Sequence, residues 1–418
     1  MGQLPTMFKL KQTFPRPLVT GIPEITKQEL VKLGFEKKVG KGQKVGITVG
    51  SRGIQNLIPI LQTTINYLKS LGVEPYLLAA MGSHGNGLET GQKEVLDSLG
   101  VTNSVLNATV VTCTDCENIA RTTSGLPVFI VKSALEMDGI LVVNRVKTHT
   151  SFKGKLESGL IKELVVGLGG PKGAQHFHCF GPSELPRLLV EIGEVMLNKL
   201  PILGGLAIVE NAYEETAVIQ GIKKEGMVDR EAELLSYSKS LMPSLPAEDI
   251  DLLIIQEMGK NYSGTGIDTN IIGRARIHGV IEPSKPNIKR IAVLDLSEES
   301  HGNATGVGMA DFVCQKLVDK MDRKATYLNC LTSTFVVRAA IPMYFETEEQ
   351  LFEAALYSLA GIPADKLRVV IIPNTLFLED SFISEALVSD IKNKSGSFLD
   401  QKPHQLTFDS TGTMSLRI

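Results

Sequence analysis

The chain has little cysteine, no strong excess of either charge and no long apolar run. Five cysteines in 418 residues are few and odd in number, which favours a reducing compartment over a disulfide framework. A formal net charge of -3 gives no broad basic field, so neither nucleic acid nor a membrane surface is an expected partner. Because no stretch has the length of a signal-peptide core or a membrane span, we expect a cytoplasmic protein.

Two common catalytic motifs are also missing. The sequence contains no GxSxG, which argues against an ordinary serine hydrolase. The glycine-rich segment 167–174 (GLGGPKGA) is suited to holding a phosphate through backbone N–H groups, but Lys172 occupies the place of the third glycine in GxGxxG. A nucleotide phosphate at this segment would therefore be bound in an unusual way.

One CxxC motif, Cys113 to Cys116, raises the question of zinc. A structural zinc ion takes four ligands, and Cys179 with His176 or His178 could provide the other two. The sequence has no second CxxC and no HxxxH. The alternative is that these thiols bind no metal, and we favour it.

Apolar strands alternate with amphipathic helices along most of the chain. Near-continuous apolar runs predict strands buried on both faces, as in a parallel sheet. The predicted strands are 44–50, 75–81, 109–112, 139–144, 206–210, 251–256, 290–296 and 367–372, and the clearest predicted helices are 54–71, 89–99 and 183–197. The pattern predicts the α/β class, with two α/β domains, mainly parallel sheets and a ligand cleft between them.

The stretch 236–249, which contains two prolines, indicates the domain boundary. We predict an N-terminal α/β domain, 1–245, that carries the cofactor and catalytic loops. A C-terminal α/β domain, 246–395, would contribute substrate contacts. The tail, 396–418, would return to the first domain.

Polar side chains follow three of the predicted strands directly. Arg52 is suited to clamping a carboxylate through two parallel hydrogen bonds, although an exposed turn arginine is the plainer interpretation. His84 and His149 are suited to exchanging a proton near neutral pH, although a single histidine is more often a surface or core residue. Since parallel strands gather such loops at one edge of the sheet, we expect the three to converge on one ligand.

The segment 143–178 resembles the nickel-dependent lactate racemase family, and the resemblance extends over most of the chain. Members of that family use a nickel-pincer nucleotide (pyridinium-3-thioamide-5-thiocarboxylic acid mononucleotide with Ni). Their cofactor site combines a histidine after a strand, a Ser-Gly-x-x-Lys motif, and a second histidine sixteen residues beyond the lysine. Here these are His149, Ser158 to Lys162, and His178.

The resemblance implies a role for each of these residues. Lys162 would form the thioamide link to the cofactor, and Ser158 and Gly159 would bind it. His178 would coordinate nickel beside two sulfurs and a ring carbon, a donor set that suits square-planar Ni(II).

The resemblance also implies an isomerase. His84 and His149 would be the acid/base pair and Arg52 the carboxylate clamp of a 2-hydroxyacid racemase or epimerase. The reaction would be reversible hydride transfer from substrate C2 to the covalently bound nickel-pincer nucleotide. Proteins that synthesise the cofactor would be partners, and the sequence leaves a homo-oligomer open.

The chain departs from the family pattern in the predicted second domain. With 268–270 (DTN) as anchor, the family's substrate-contacting glutamine and lysine fall near Gly273 and Arg276. The loss of an amide and the retained cation suggest a substrate larger than lactate or one with a second acid group. Lys260 is a further candidate contact, with a solvated loop lysine as the alternative.

Two other functions compete with racemisation. A non-catalytic nickel-pincer nucleotide binding or carrier protein would need Lys162 and His178 but could dispense with the histidine pair. A zinc-dependent hydrolase or lyase would use the CxxC motif.

Overall fold

The computed structural model describes residues 4–359, 361–392 and 394–418. Its backbone contacts divide the chain into two compact units. We call Arg16–Leu241 the N-terminal unit, and the described residues up to Pro15 together with Met242–Ile418 the C-terminal unit.

The strands are numbered in chain order. They are β1 (Thr6–Gln12), β2 (Lys44–Val49), β3 (Glu74–Ala79), β4 (Thr109–Val111), β5 (Cys116–Arg121), β6 (Pro127–Val131), β7 (Gly139–Arg145), β8 (Ile202–Glu210), β9 (Thr216–Ile222), β10 (Asp249–Ile255), β11 (Asn287–Val293), β12 (Phe312–Cys314), β13 (Met343–Phe345), β14 (Val369–Ile372), β15 (Asp380–Ser384) and β16 (Ser397–Gln405).

The α-helices are α1 (Ile22–Lys32), α2 (Leu57–Ser70), α3 (Glu89–Ser98), α4 (Asn103–Leu106), α5 (Lys132–Leu135), α6 (Leu160–Lys162), α7 (Gly170–His178), α8 (Leu185–Lys199), α9 (Met227–Ser240), α10 (Thr269–Ile272), α11 (Gln315–Lys320), α12 (Arg323–Ser333), α13 (Glu348–Ser358) and α14 (Val388–Ile391). A π-helical segment, Glu163–Leu168, joins α6 to α7. Short 3₁₀ turns cover Phe35–Lys37, Gly85–Gly87, Glu298–Ser300, Val307–Met309, Val336–Ala339, Ala364–Lys366 and Glu385–Leu387. No helix among the described residues is both long and apolar enough to span a membrane.

The N-terminal unit is built on a sheet with strand order β4-β3-β2-β7-β8-β9. All pairs are parallel except β8 with β9. Alternate residues of β7 enter opposite cores, since Leu141 packs with one buried cluster while Ile140 and Val142 pack with the other. This two-sided burial is why the strand reads as a continuous apolar run.

The C-terminal unit is built on a sheet with strand order β13-β12-β11-β10-β14-β15-β1-β16. Strands β10 to β14 run parallel to one another, and β15, β1 and β16 add an antiparallel extension beside β14. The α/β class and the two mainly parallel sheets are therefore confirmed. The cleft expected between the domains stays a prediction.

Two parts of the predicted domain division differ from the structure. The first strand, β1, pairs with β15 and β16, so the residues up to Pro15 belong to the C-terminal unit and not to a domain 1–245. The tail contributes β16 to that same sheet and so belongs to the C-terminal unit, not to the first domain as predicted. Such pairings join segments almost 400 residues apart, and no local pattern in the sequence reveals them.

The predicted strands and helices named above are all present, with shifts at their ends. For example, the strand predicted at 44–50 is β2, and the helix predicted at 54–71 begins only at Leu57. The strands that the pattern missed are β1, the β5–β6 hairpin, β9, β12, β13, β15 and β16, most of which are short, antiparallel or at an edge.

Candidate active site

The strand order of the N-terminal unit places a switch point between β2 and β7. From β2 the chain proceeds through β3 and β4 on one side, whereas β7 and β8 lie on the other. At such a point two successive loops diverge above the carboxyl ends of the strands and leave a crevice. Arg52 follows β2, and His149 and Lys162 follow β7, so this edge gathers the predicted site residues.

The helix that carries Lys162 is fixed to the end of β7. Asn144 donates from Nδ2 to the carbonyl of Gly159 at 3.1 Å and to Oε2 of Glu163 at 2.9 Å. Ser158 and Lys147 form an antiparallel bridge, with N–H to O distances of 2.9 and 3.1 Å. The Ser-Gly-x-x-Lys motif is therefore anchored to the backbone directly before His149.

A buried carboxylate explains the glycine of that motif. Glu231, on α9, is 1% exposed and accepts from the backbone N–H of Ile161 at 2.9 Å through Oε2, which caps the first turn of α6. A Cβ atom on Gly159 would lie 2.3 Å from Oε1 of Glu231. We predicted Gly159 as a cofactor contact, and the structure gives it a packing role as well. Burial raises the pKa of Glu231 to about 7, against the opposing effect of the Ile161 and Leu160 N–H groups.

Lys162 is half-buried, and among the described residues its amine has no hydrogen-bond or ion-pair partner. Burial lowers its pKa to about 8; the charge of Glu163 opposes this, while Arg52 and Lys147 add to it. Arg52 as a whole residue is exposed. Lys162 is thus an unusually acidic ammonium whose neutral, nucleophilic form is accessible close to neutral pH.

Glu163 is the acidic neighbour of this amine. It is 7% exposed, and Asn144 donates to its Oε2, whereas its Oε1 has no hydrogen-bond partner within the described part of the chain. Burial raises the pKa of Glu163 to about 8, opposed by Lys162. A Cβ on Gly50 would lie 3.0 Å from Oε1, so the carboxyl faces the loop that leads to Arg52.

His178 lies in the last turn of α7 and is half-buried. Burial and the nearby charge of Lys162 lower its pKa to about 4, so the imidazole is neutral at physiological pH, as a metal ligand must be. His176 differs in its setting. Its ring packs edge-on against Phe129 and Phe180, at centroid distances of 5.9 and 5.6 Å.

His149 is held in its loop by backbone and ring contacts. Its backbone N–H donates to the buried carboxylate of Glu157 at 2.7 Å, and its ring Nδ1 accepts from the backbone N–H of Ser151 at 3.1 Å. The ring stacks on that of Phe152, with ring centroids 4.2 Å apart and an interplanar angle of 27°. The Phe152 ring in turn lies edge-on to the Phe177 ring, at a centroid distance of 6.4 Å. These rings connect His149 to the helix that carries His178.

His84 is exposed and bridges the loops after β2 and β3. Its Nδ1 lies 2.8 Å from Oγ of Ser51 and 3.1 Å from the carbonyl oxygen of Met81. The loop is pinned to the π-helical segment by Gly82, whose N–H donates to the carbonyl of Gly167 at 3.1 Å. Gly82 has φ of 57°, and a Cβ there would lie 2.9 Å from a backbone oxygen.

The predicted substrate contacts Arg276 and Lys260 belong to the C-terminal unit. Arg276 donates to Asp311 at 3.0 Å, and this carboxylate also binds Arg274 at 2.8 Å. Lys260 donates to Oδ1 of Asn329 at 2.7 Å and to a backbone carbonyl. Arg276 lines a cavity of about 410 Å³ that lies in this unit, whereas Lys162 and His178 lie in the other.

The CxxC cysteines lie beside α7. Cys116 is buried, with Sγ 3.5 Å from the carbonyl oxygen of Gly169, and burial raises the pKa of its thiol. Within the described ranges no group of three or more His, Cys, Asp or Glu side chains is arranged to hold a metal ion. The additional zinc ligands considered above, Cys179 with His176 or His178, are not grouped with this motif.

Comparison of the sequence with protein-family models and with curated proteins finds no match. Among solved structures, the chain is similar to the lactate racemase apoprotein from Thermoanaerobacterium thermosaccharolyticum. The similarity covers 88% of this chain and 94% of that one, with a TM-score of 0.55 and 14% sequence identity. The chain has a lactate racemase-like fold.

Sequence reasoning missed the residues that support Lys162. Glu163, Glu231 and Asn144 are polar side chains inside or beside apolar elements, and carboxylates are usually solvated, so nothing in the pattern marked them. The one available signal was that Glu163 follows directly after the candidate lysine.

Proposed function

We propose that this protein is a racemase or epimerase of a 2-hydroxy acid that uses a nickel-pincer nucleotide bound through Lys162 and His178. The observation that carries the proposal is that Arg52 and Lys162 follow the two strands at the switch point of a lactate racemase-like fold, and that the charge of Lys162 acts on His178. These three residues match the carboxylate clamp, the covalent lysine and the metal ligand implied by the sequence resemblance.

The residues present fit such a cofactor in two respects. The lowered pKa values of Lys162 and His178 favour a neutral amine, which can form a covalent bond, and a neutral imidazole, which can ligate a metal. Among the side chains that the structure describes, no cluster could supply a complete coordination sphere. A single protein imidazole suits a cofactor that brings its remaining donors with it.

The chain's own residues would bind and orient the substrate and handle its proton. Arg52 would hold the carboxylate, and its two parallel donors would fix the position of C2. His84 and His149 would serve the hydroxyl group. When bound, the cofactor would supply the acceptor for the C2 hydride, which is chemistry that amino-acid side chains lack. Arg276 and Lys260 are proposed as further substrate contacts.

The test is production of the protein in a host that makes the pincer nucleotide. We expect about one nickel per chain, a mass increment on the peptide containing Lys162, and racemisation of at least one member of a panel of enantiopure 2-hydroxy acids with deuterium retained at C2. Lys162→Ala should lose the increment, while the matched variant Lys172→Ala, changed at an exposed lysine of α7, should keep it.

Three results would contradict the proposal. Protein of bare polypeptide mass under these conditions would count against the cofactor. A full nickel load without turnover of any acid in the panel would instead favour the carrier function. Loss of deuterium to solvent during turnover would indicate carbanion chemistry rather than hydride return.

A further inference from the structure

The two candidate acid/base histidines are held by hydrogen bonds of opposite polarity. Each is contacted at Nδ1, but His84 faces a carbonyl oxygen, whereas His149 faces a backbone N–H group. A carbonyl oxygen can only accept, and an amide N–H can only donate. The contact made at one ring nitrogen fixes which nitrogen carries the proton.

For His84, the Met81 carbonyl oxygen at 3.1 Å can only accept, so a hydrogen bond between the two is made by a proton on Nδ1. The hydroxyl of Ser51, at 2.8 Å from the same nitrogen, can accept from it as well. The neutral ring then has its lone pair on Nε2, the form needed to receive a proton. When Nε2 is protonated, Nδ1–H remains bonded to both oxygens, so these contacts also stabilise the imidazolium.

For His149, the N–H of Ser151 at 3.1 Å requires a lone pair on Nδ1. The neutral ring therefore carries its proton on Nε2. Adding a second proton at Nδ1 would set two N–H groups against each other, so this contact disfavours the imidazolium. The ring of His149 is held in this position by stacking on Phe152, at a centroid distance of 4.2 Å, and by the hydrogen bond from its backbone N–H to Glu157.

We propose that the two histidines rest in opposite tautomers, so that His84 is the resting base and His149 a neutral hydrogen-bond donor that must leave Ser151 before it can exchange a proton. This inference rests on the proposed function. Ser51 and the Ser151 amide are then positioning groups that make the site unequal toward the two enantiomers.

The proton movements balance as follows. From the resting state, the substrate O–H bond breaks and its proton forms the N–H bond at Nε2 of His84, giving an imidazolium. At the end of the turnover the product oxygen regains one proton, and His84 returns to its neutral form directly or through solvent. For the opposite enantiomer, His149 must first move its Nε2 proton to Nδ1 through solvent, which requires that the Ser151 bond opens.

The first test needs neither cofactor nor substrate. Histidine-labelled apoprotein at a pH where the rings are neutral is examined by long-range ¹H–¹⁵N correlation, with assignment by His84→Gln and His149→Gln. We expect the unprotonated-nitrogen signal at Nε2 for His84 and at Nδ1 for His149. On lowering the pH, His84 should gain its second proton before His149. The same tautomer in both rings, or earlier protonation of His149, would overturn the inference.

Matched variants test the positioning groups. Ser51→Ala should reduce the Nδ1–H population of His84, while Ser83→Ala, one residue before His84, should not. Ser151→Ala keeps the backbone amide and should leave the His149 tautomer unchanged. Ser151→Pro removes this N–H donor, so the His149 ring should then populate both tautomers. If Ser151→Pro does not fold, the wild-type spectrum alone decides the inference.

The second test uses the cofactor-loaded enzyme. Because the two enantiomers are equal in free energy, kcat/KM must be equal in the two directions of a racemisation. We expect kcat and KM to be unequal individually, with the slower direction accelerated by Ser151→Pro. Equal kcat values in both directions would overturn the inference that the two histidines make the site unequal toward the two enantiomers. Absence of all turnover, with the tautomers as expected, would refute the proposed function and leave the tautomer assignment standing.

Discussion

Substitution of Gly159 by alanine tests whether this glycine is required by packing rather than by a cofactor. A Cβ atom there would lie 2.3 Å from Oε1 and 2.6 Å from Cδ of Glu231, whereas ordinary contact begins at 3.4 Å. The carboxylate would have to retreat by 1.1 Å, the difference between 3.4 and 2.3 Å, from a site in which it is 1% exposed. Its bond to the Ile161 N–H would then be lost or weakened.

The expected cost follows from these two effects. Overpacking a well-filled site costs about 1–3 kcal/mol, and loss of a helix cap costs about 0.5–2 kcal/mol. We therefore expect Gly159→Ala to lower the free energy of unfolding of the apoprotein by about 2–4 kcal/mol, a large part of the stability of a typical domain.

The assay is urea unfolding of apoprotein variants. Gly173→Ala is the matched control, since a Cβ there meets its nearest neighbour at 3.5 Å and the residue lies within α7. In a Glu231→Ala background the effect of Gly159→Ala should fall below about 1 kcal/mol, because the clash has been removed. If Gly159→Ala costs no more than the control, or costs the same in both backgrounds, the packing explanation is wrong.

Three further predictions concern the same region. Burial raises the pKa of Glu231 from 4.5 to about 7, so the folded chain holds this proton more tightly than the unfolded chain. The stability that this proton contributes is fully present below pH 4.5 and is lost as the pH rises through 7. Urea unfolding should show that the free energy of unfolding falls less between about pH 5 and 8 for Glu231→Gln than for wild type, by a difference of up to about 3 kcal/mol. The control Glu225→Gln, changed at an exposed residue, should match wild type. Glu163→Gln should lower the pKa of Lys162, because the charge of Glu163 raises it. Acylation of Lys162 by an activated ester, followed by peptide mass spectrometry, should then have its midpoint at a lower pH. A midpoint at a higher pH would contradict this effect of Glu163. Gly82→Ala combines φ of 57° with a backbone oxygen at 2.9 Å and should cost about 1–3 kcal/mol, so an unchanged thermal midpoint would refute the close approach.

Local pattern was sufficient for most of the parallel strands, though not for the short β12 and β13, and for the placement of polar residues after them. Near-continuous apolar runs such as β7 have few alternatives to a strand buried on both faces, and the loop that follows such a strand lies at the carboxyl edge of the sheet. The candidate residues Arg52, His84 and His149 could therefore be assigned to one edge from their positions after predicted strands, whereas Lys162 was assigned from the family resemblance.

The sequence by itself determined the α/β class, the order of the main strands and the set of polar side chains available for chemistry, because these depend on neighbours along the chain. Only the tertiary structure decided which segments complete each sheet and that Glu231 caps the helix of Lys162. It also decided that Nδ1 of His84 lies against a carbonyl oxygen and Nδ1 of His149 against an N–H group. Those features depend on groups brought together from distant positions or on the path of a loop backbone. Burial then changes the protonation of Lys162, Glu163 and Glu231 by removing water, which residue order alone does not reveal.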